Sequence, residues 1–428
     1  MSWATRFRLR QYLGTSLWLL PLAGALLGVA LGTADVHVDQ SVHLPHDFTY
    51  SSTTVTWVLS SIVGAVAALT GFVVTVTVLV VQMATGTLSP RYMRVWYRDR
   101  VLKALLALLV GTLSFSFTLL RRVDPHFVPN LGTSIAGVLL LLCLMLFVIF
   151  LDRFLHRLRP VAVASLVSDY LQDDFRALVE TLAHPDIFWD RADDGRAPVL
   201  VVRAVDRGAI QAIDVDGLCR FARRRNLLIV IRHPVGDFVA GHAPLIDVHG
   251  VGQVEPRDAE RLRRMIVLGS ERTLGQDPAF AIRIMVDIAA RALSSAINDP
   301  TTAVQVLDYL GDDLRMIGSV DISEFQFESP PSGRHGLVIP LRDWKDYLAL
   351  ATTEIREYGA SSTQVMRRMR AMLEELLEEL REDRCEAVRE ELSRLDATVA
   401  RAFADSVDFD RARAADFQGI GGGERRGG

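Results

Sequence analysis

Hydrophobic positions in the first 150 residues gather into four long runs, at about residues 12–31, 55–82, 101–120 and 131–151. Each is close to the roughly 20 apolar residues that one helix needs to cross a bilayer. The second run lies in a stretch, residues 48–90, that contains no Asp, Glu, Lys or Arg. The first run resembles a secretory signal in length. No small-residue cleavage site follows it and further runs do, so it reads as an anchor.

Beyond residue 151 the pattern changes. Residues 159–182 keep apolar positions at helical spacing, and Pro160 allows a restart. Residues 197–204 and 226–234 are short apolar runs of strand type, with a helix-like segment at 214–225 between them. Residues 236–248 alternate around glycines and predict a strand–turn–strand unit. The remainder is helical in period, apart from a strand-like run at residues 336–341. Met366, Met369, Leu373, Leu376 and Leu380 form one apolar seam, and Val388, Leu392, Leu395 and Val399 resume it. The charged break between them makes this a kinked helix or a helical hairpin, with a seam suited to subunit association. The expected fold is a membrane α-helical domain of four transmembrane helices (residues 1–158) plus a cytoplasmic α+β domain. That domain comprises a juxtamembrane helix with a small β unit (159–260) and a helical C-terminal part (261–410), and a disordered tail follows (411–428).

Charge sharpens this picture. Residues 1–151 carry about ten basic and five acidic side chains, whereas the rest of the chain is acidic on balance. Arg6, Arg8 and Arg10 precede the first run, and Arg91, Arg94, Arg98, Arg100 and Lys103 fill the loop after the second. The loop after the first run has Asp35, Asp39 and Asp47 and no cation. The positive-inside rule therefore puts the N-terminus and everything after residue 153 in the cytoplasm of a bacterial plasma membrane, with Arg121 and Arg122 as exceptions. In "SPRYMRVWYRDR", Tyr92, Trp96 and Tyr97 suit the interfacial belt, and Arg91, Arg94, Arg98 and Arg100 suit lipid headgroups. No basic patch on the soluble part points to nucleic acid. Cys143, Cys219 and Cys385 form no disulfide framework.

On a helical wheel, Thr53, Ser60, Ser61, Gly64, Ala68, Gly71, Thr75, Gln82, Gly86 and Ser89 in and around the second run share about a third of the circumference. Trp57 and Val78 interrupt them. Small and hydroxylic residues on one face allow close helix packing. The same face would line a path for a polar solute, and Gln82 weighs most toward that reading, because an uncompensated amide in hydrocarbon is costly. As one helix, residues 53–89 would measure about 54 Å against about 30 Å of hydrocarbon. Pro90 disfavours helical geometry at Ser89, so the helix should stop there.

Candidate chemistry adds little. There is no phosphate-binding glycine loop with a lysine, no nucleophile elbow and no zinc-ligand spacing. His37, His43 and His46 share the first loop, where surface histidines are the economical reading and a weak metal site the other. Asp277, Asp287, Asn298, Asp299 and Asp308 could gather as an acidic cluster. Capping explains two of them: Asp277-Pro278 and Asp299-Pro300 each combine a good N-cap with a proline suited to the first helical turn. Asn298 then reads as a turn residue.

"SPRYMRVWYRDR" after a polar second span, together with "ERTLGQDPAFAIRIMVDIAARALSSAINDPTTAVQVLDYL", resembles a bacterial family of predicted membrane proteins, domain of unknown function 2254. The likeness runs over about residues 8–405, and departs mildly at Ser294-Ser295, where the family pattern often has Ser-Pro. It implies an inner-membrane protein with a cytoplasmic C-terminal domain and transfers no catalytic residue. The expectation is a protein without enzymatic activity, metal or cofactor, embedded in a lipid bilayer as a homo-oligomer. Its second span lines a channel or transport path that the cytoplasmic domain regulates. The alternative is a membrane-anchored sensor or scaffold whose cytoplasmic domain binds a partner or ligand.

Overall fold

Local sequence explains how most of the helices begin and end. A computed structural model describes residues 3–39, 50–87, 99–125, 127–157, 159–183, 187–188, 197–250, 254–320 and 335–421, with fourteen helices and eight strands among them. The chain divides into two compact units, one of residues 10–159 and one of residues 1–9 with 160–428.

α1 (Trp3–Thr15) runs across the division at residues 9–10, and it meets α2 (Leu19–Asp39) of the first unit at a bend of 73°. The first apolar run is therefore a bent pair and not one straight span. Lys103 is buried and donates its Nζ to the carbonyl of Gly14 beside the bend. α3 (Ser52–Thr87) is one continuous helix of 36 residues. α4 (Arg100–Leu120) starts at Asp99, whose carboxylate accepts the Val101 and Leu102 N–H groups at 2.7 and 3.0 Å. α5 (Asn130–Arg157) completes the set. Among the described residues three helices are individually long and apolar enough to cross a membrane (Ser52–Gln82, Arg100–Leu120 and Asn130–Arg153), or four if the bent pair counts as one span.

α2, α3 and α5 all pack against α4. The α2–α4 contact is intimate because Gly24 and Gly28 recur four residues apart. A Cβ on Gly24 would come within 2.3 Å of the Ala107 carbonyl oxygen, and one on Gly28 within 2.2 Å of that of Gly111. Small residues at this spacing let two backbones touch in lipid, where apolar side chains gain nothing by leaving one apolar medium for another.

In the second unit, α6 (Pro160–Leu182) precedes a mixed region. A five-stranded sheet has the order β1-β8-β4-β6-β2, from Ile187–Phe188, Gly336–Val338, Leu228–Ile231, Pro244–His249 and Leu200–Arg203. β8 runs parallel to both β1 and β4, whereas β6 is antiparallel to β4 and β2. A three-stranded antiparallel sheet has the order β5-β3-β7, from Phe238–Val239, Gly208–Ile213 and Ile266–Gly269. The strand–turn–strand unit expected over 236–248 is thus not a hairpin. β5 adds to β3 while β6 enters the other sheet, because each finds its own buried neighbour. Helix α7 (Val215–Arg225) is capped by Asp214 and ends at Asn226 in the left-handed region (φ 53°). It buries Leu218, Cys219, Phe221 and Ala222 in the core that also holds Ile229, Ile231, Ile246 and Val248.

The helical part comprises α8 (Pro256–Arg263), α9 (Pro278–Ala292), α10 (Pro300–Ser319), α11 (Trp344–Tyr358), α12 (Thr363–Glu379), α13 (Glu382–Ala402) and α14 (Ser406–Arg413). α6 lies on α9 and α10, α12 packs on α10, and α13 packs on α11 and α12. α12 and α13 form a hairpin. Met366, Met369, Leu373, Leu376, Val388, Leu395 and Val399 are all buried within this one chain. The seam expected to serve subunit association is therefore occupied internally. Residues 411–421, expected to be disordered, instead fold back on α12. Buried Asp416 accepts the N–H groups of Gln418, Gly419 and Gly421, and Arg367 Nε donates to the Ala414 carbonyl.

Candidate functional site

The second span presents two faces of different chemistry. Val55, Leu59, Ile62, Val66 and Val73 are buried in the core shared with α4 and α5, and Val80 is buried as well. Thr53, Ser60, Ser61, Gly64, Ala68, Gly71, Thr75 and Gln82 are all exposed. A Cβ added to Gly64 or Gly71 would meet nothing within 4 Å. The small residues of α3 therefore do not serve packing inside this bundle, unlike Gly24 and Gly28 of α2. Thr75 satisfies its hydroxyl on the Gly71 carbonyl at 2.9 Å, which lowers its cost in an apolar setting while leaving the oxygen on the exposed face. At one end of the stripe, Thr53 lines an open hollow of about 300 Å3 with Thr56, Trp57, Asp124 and Pro125.

In the second unit the two Asp-Pro starts differ in surroundings. Asp299 accepts the Thr302 N–H at 3.1 Å and its hydroxyl at 2.5 Å, and Asn298 sits at φ 51° on an exposed corner. Asp277 is 3% exposed. It accepts the Phe280 N–H at 3.2 Å and the Arg272 Nε at 3.0 Å. Burial raises its pKa, against the pull of the Arg272 charge and hydrogen bond. Gln276, at φ 64°, binds both the N–H and the carbonyl of Ile213 through its side-chain amide. Gly236 (φ 95°) closes against this group: a Cβ there would lie 2.2 Å from Arg272 Nη2 and from Asp277 Oδ2.

Beside Asp277 lies a cavity of about 150 Å3. Its wall is mostly apolar, with Leu178, Ile213, Val215, Val235, Ile339 and Leu341, and carries Asp174, Asp277, Arg342 and Tyr347 as ionisable groups. Tyr347 is 4% exposed, and its hydroxyl makes no hydrogen bond among the described residues. Burial raises its pKa, the Asp277 charge adds to this, and Arg342 opposes both.

A second buried carboxyl lies between α6 and α10. Asp313 is 0% exposed. Ser168 Oγ donates to its Oδ1 at 2.7 Å and Gln172 Nε2 at 3.3 Å, while Oδ2 has no partner. Burial pushes its pKa up to about 7, the two hydrogen bonds pull it down, and Asp312 and Asp169 push it further up.

The family model for predicted membrane protein DUF2254 matches residues 14–375. The chain belongs to the DUF2254 family. The uncharacterized protein MT1328 of Mycobacterium tuberculosis is 26% identical over 421 residues, which cover 93% of this chain and 79% of that protein. The uncharacterized protein Mb1321c of Mycobacterium bovis is similar to the same extent. No solved structure matches.

Within this DUF2254 chain the five acidic and amide residues considered as a cluster do not form one. Asp287 pairs with Arg283 at 2.9 Å and Asp308 with Arg368 at 2.6 Å, while Asp277 and Asp299 cap their helices. Of the arginines assigned to headgroups, Arg100 is exposed at the start of α4; Arg91, Arg94 and Arg98 lie outside the described residues, as do His43 and His46. Sequence reasoning did not single out Asp313, Arg342, Tyr347 or Arg272. Asp313 had a readable signal: with Val306, Leu310 and Ile317 it follows the 3–4 spacing of the buried face of α10. Arg342 and Tyr347 had none, since only the tertiary fold brings them to Asp277.

Proposed function

We propose that the protein is an oligomeric conduit of the bacterial plasma membrane. Copies of α3 gather with their small and hydroxylic faces toward a common path, and the C-terminal unit regulates it from the cytoplasm. The observation that carries this reading is the exposure of the whole stripe from Thr53 to Gln82, opposite the apolar face that α3 spends on its own bundle. In lipid such a face is satisfied better by another copy or by a hydrated path than by acyl chains. The basic residues before the first span and after the second support the cytoplasmic side of the C-terminal unit. The reading assigns the protein no catalytic reaction.

The test is ion flux in liposomes, together with the mass of the particle in nanodiscs. Wild type is expected to be oligomeric and to conduct, with flux changed by Gln82→Leu and Thr75→Val. A monomer that passes no ions ends the proposal. The cavity beside Asp277 favours a second reading, a membrane-anchored sensor of a small ligand. On that reading Gln82→Leu leaves function intact.

A further inference from the structure

We infer that the C-terminal unit binds a small, largely apolar monocarboxylate in the cavity beside Asp277, with the carboxylate held by Tyr347 and Arg342. The inference goes beyond conduction and holds equally for a conduit or an anchored sensor.

Three observations select this chemistry. First, the cavity is assembled from separate parts of the unit: α6, the end of β3, the loop after β4, the start of α9, the loop after β8, and α11. A space enclosed by so many elements, apolar over most of its wall and with a few converging polar groups, is the usual form of a small-molecule site. Second, Tyr347 is almost fully buried and its hydroxyl is unmatched among the described residues. Tyr347 lines the cavity, and an occupant with an acceptor would take the hydrogen bond that its hydroxyl does not make among the described residues. Third, Arg342 is the cation of the wall, and both carboxylates beside it are engaged within the chain. Asp277 already accepts from Arg272 and from the Phe280 N–H, and Asp174 is engaged within the chain. Arg342 forms an ion pair with the half-exposed Asp237 at 3.4 Å. It shares the cavity wall with Asp277 and Tyr347. A carboxylate accepts from a guanidinium and a phenol at once, whereas an ammonium offers neither of them an acceptor.

Size narrows the class. A cavity of about 150 Å3 with apolar walls accepts a benzene-sized molecule. The occupant is therefore an aromatic or branched-chain acid of roughly six to ten non-hydrogen atoms. A phosphate or a dicarboxylate would leave a second charge against Ile213, Val235 and Ile339, at a desolvation cost that the wall does not offset.

The experiment uses the full chain in detergent and three probes of one shape: benzoate, benzyl alcohol and benzylamine. Ligand-observed NMR and calorimetry read binding against the same detergent without protein. Benzoate is expected to bind saturably, with a dissociation constant below about 1 mM, and more tightly than either other probe. Tyr347→Phe, which keeps the ring and its packing, should weaken benzoate about five- to tenfold. Arg342→Gln should weaken it tenfold or more. Arg232→Gln, which breaks a pair with Asp247 remote from the cavity wall, should leave it unchanged. No saturable benzoate binding, benzylamine binding as tight as benzoate, or indifference to both Tyr347→Phe and Arg342→Gln would each overturn the inference. Because the readout is binding, its failure is distinct from a failure to conduct.

Discussion

Replacing Asp313 by asparagine should remove a pH dependence from the contact between α6 and α10. The packed seam favours the protonated carboxyl, which has one bare buried oxygen and a pKa near 7 in place of 3.8. When the seam opens, Asp313 meets water and titrates at its ordinary value. A group whose pKa is raised on packing stabilises the packed state most below the open-state value, and that stability is lost as pH rises through the folded one. The window therefore runs from about pH 4 to about pH 7, and the dependence is flat above it. At about 1.4 kcal/mol per pH unit, the full window is worth about 4 kcal/mol, and the part between pH 5.5 and 8 about 2 kcal/mol. That part corresponds to about a 30-fold rise in the open population. Among the described residues no cation pairs with Asp313: Arg368 is engaged by Asp308 and Glu375, Arg315 by Asp312 and Glu379, and Arg283 by Asp287 and Glu354, while Asp169 and Asp312 add negative charge. Hydrogen exchange of α6 and α10 amides, corrected for the intrinsic pH effect, measures the opening. Wild type should open more easily with rising pH, and Asp313→Asn should not, matching wild type near pH 5.5 and exceeding its protection near pH 8. Parallel pH slopes in the two proteins, or an Asn variant that exchanges faster throughout, would refute the reasoning.

Two further predictions concern backbone contacts and caps. Gly24→Ala and Gly28→Ala drive a methyl into backbone carbonyls and should each cost about 2 kcal/mol or more in a thermal scan in detergent; Gly64→Ala and Gly71→Ala meet open space and should leave the melting of the single chain unchanged. Asp299→Ala should cost about 1 kcal/mol, as a lost surface cap does. Asp277→Ala should cost about 2–3 kcal/mol by the same scan, because it also strips Arg272 of its partner in a buried setting. Equal losses for the two caps would contradict the difference in burial.

What was legible in the chain was local. The long apolar runs at 55–82, 101–120 and 131–151 are helices because about 20 apolar residues in lipid leave the backbone no other way to satisfy itself. Asp277-Pro278 and Asp299-Pro300 announce their helices because a cap acts within one turn. Pairing across the sheets was not legible. β3, "GAIQAI", is buried at every position, yet its alanines carry no strand preference and its apolar residues do not alternate. β8 joins β1 and β4 from more than a hundred residues away, through neighbours that no local pattern reveals. The stripe on α3 was visible as composition. That it faces away from the chain's own bundle required the positions of α4 and α5. The cavity is the extreme case, since Ile213, Asp277, Arg342 and Tyr347 share nothing in sequence except that the fold assembles them.

The glycine contact between α2 and α4 limits how the membrane unit can move. Two helices whose backbones touch cannot slide past each other without driving carbonyl oxygens into Cα atoms, so the pair behaves as a single stiff plank. α3 meets the same plank through interdigitated Val, Leu and Ile side chains, and contacts of that kind tolerate small shear displacements. The helix that carries the small and hydroxylic stripe is thus held by contacts that permit more shear than the glycine-packed pair does.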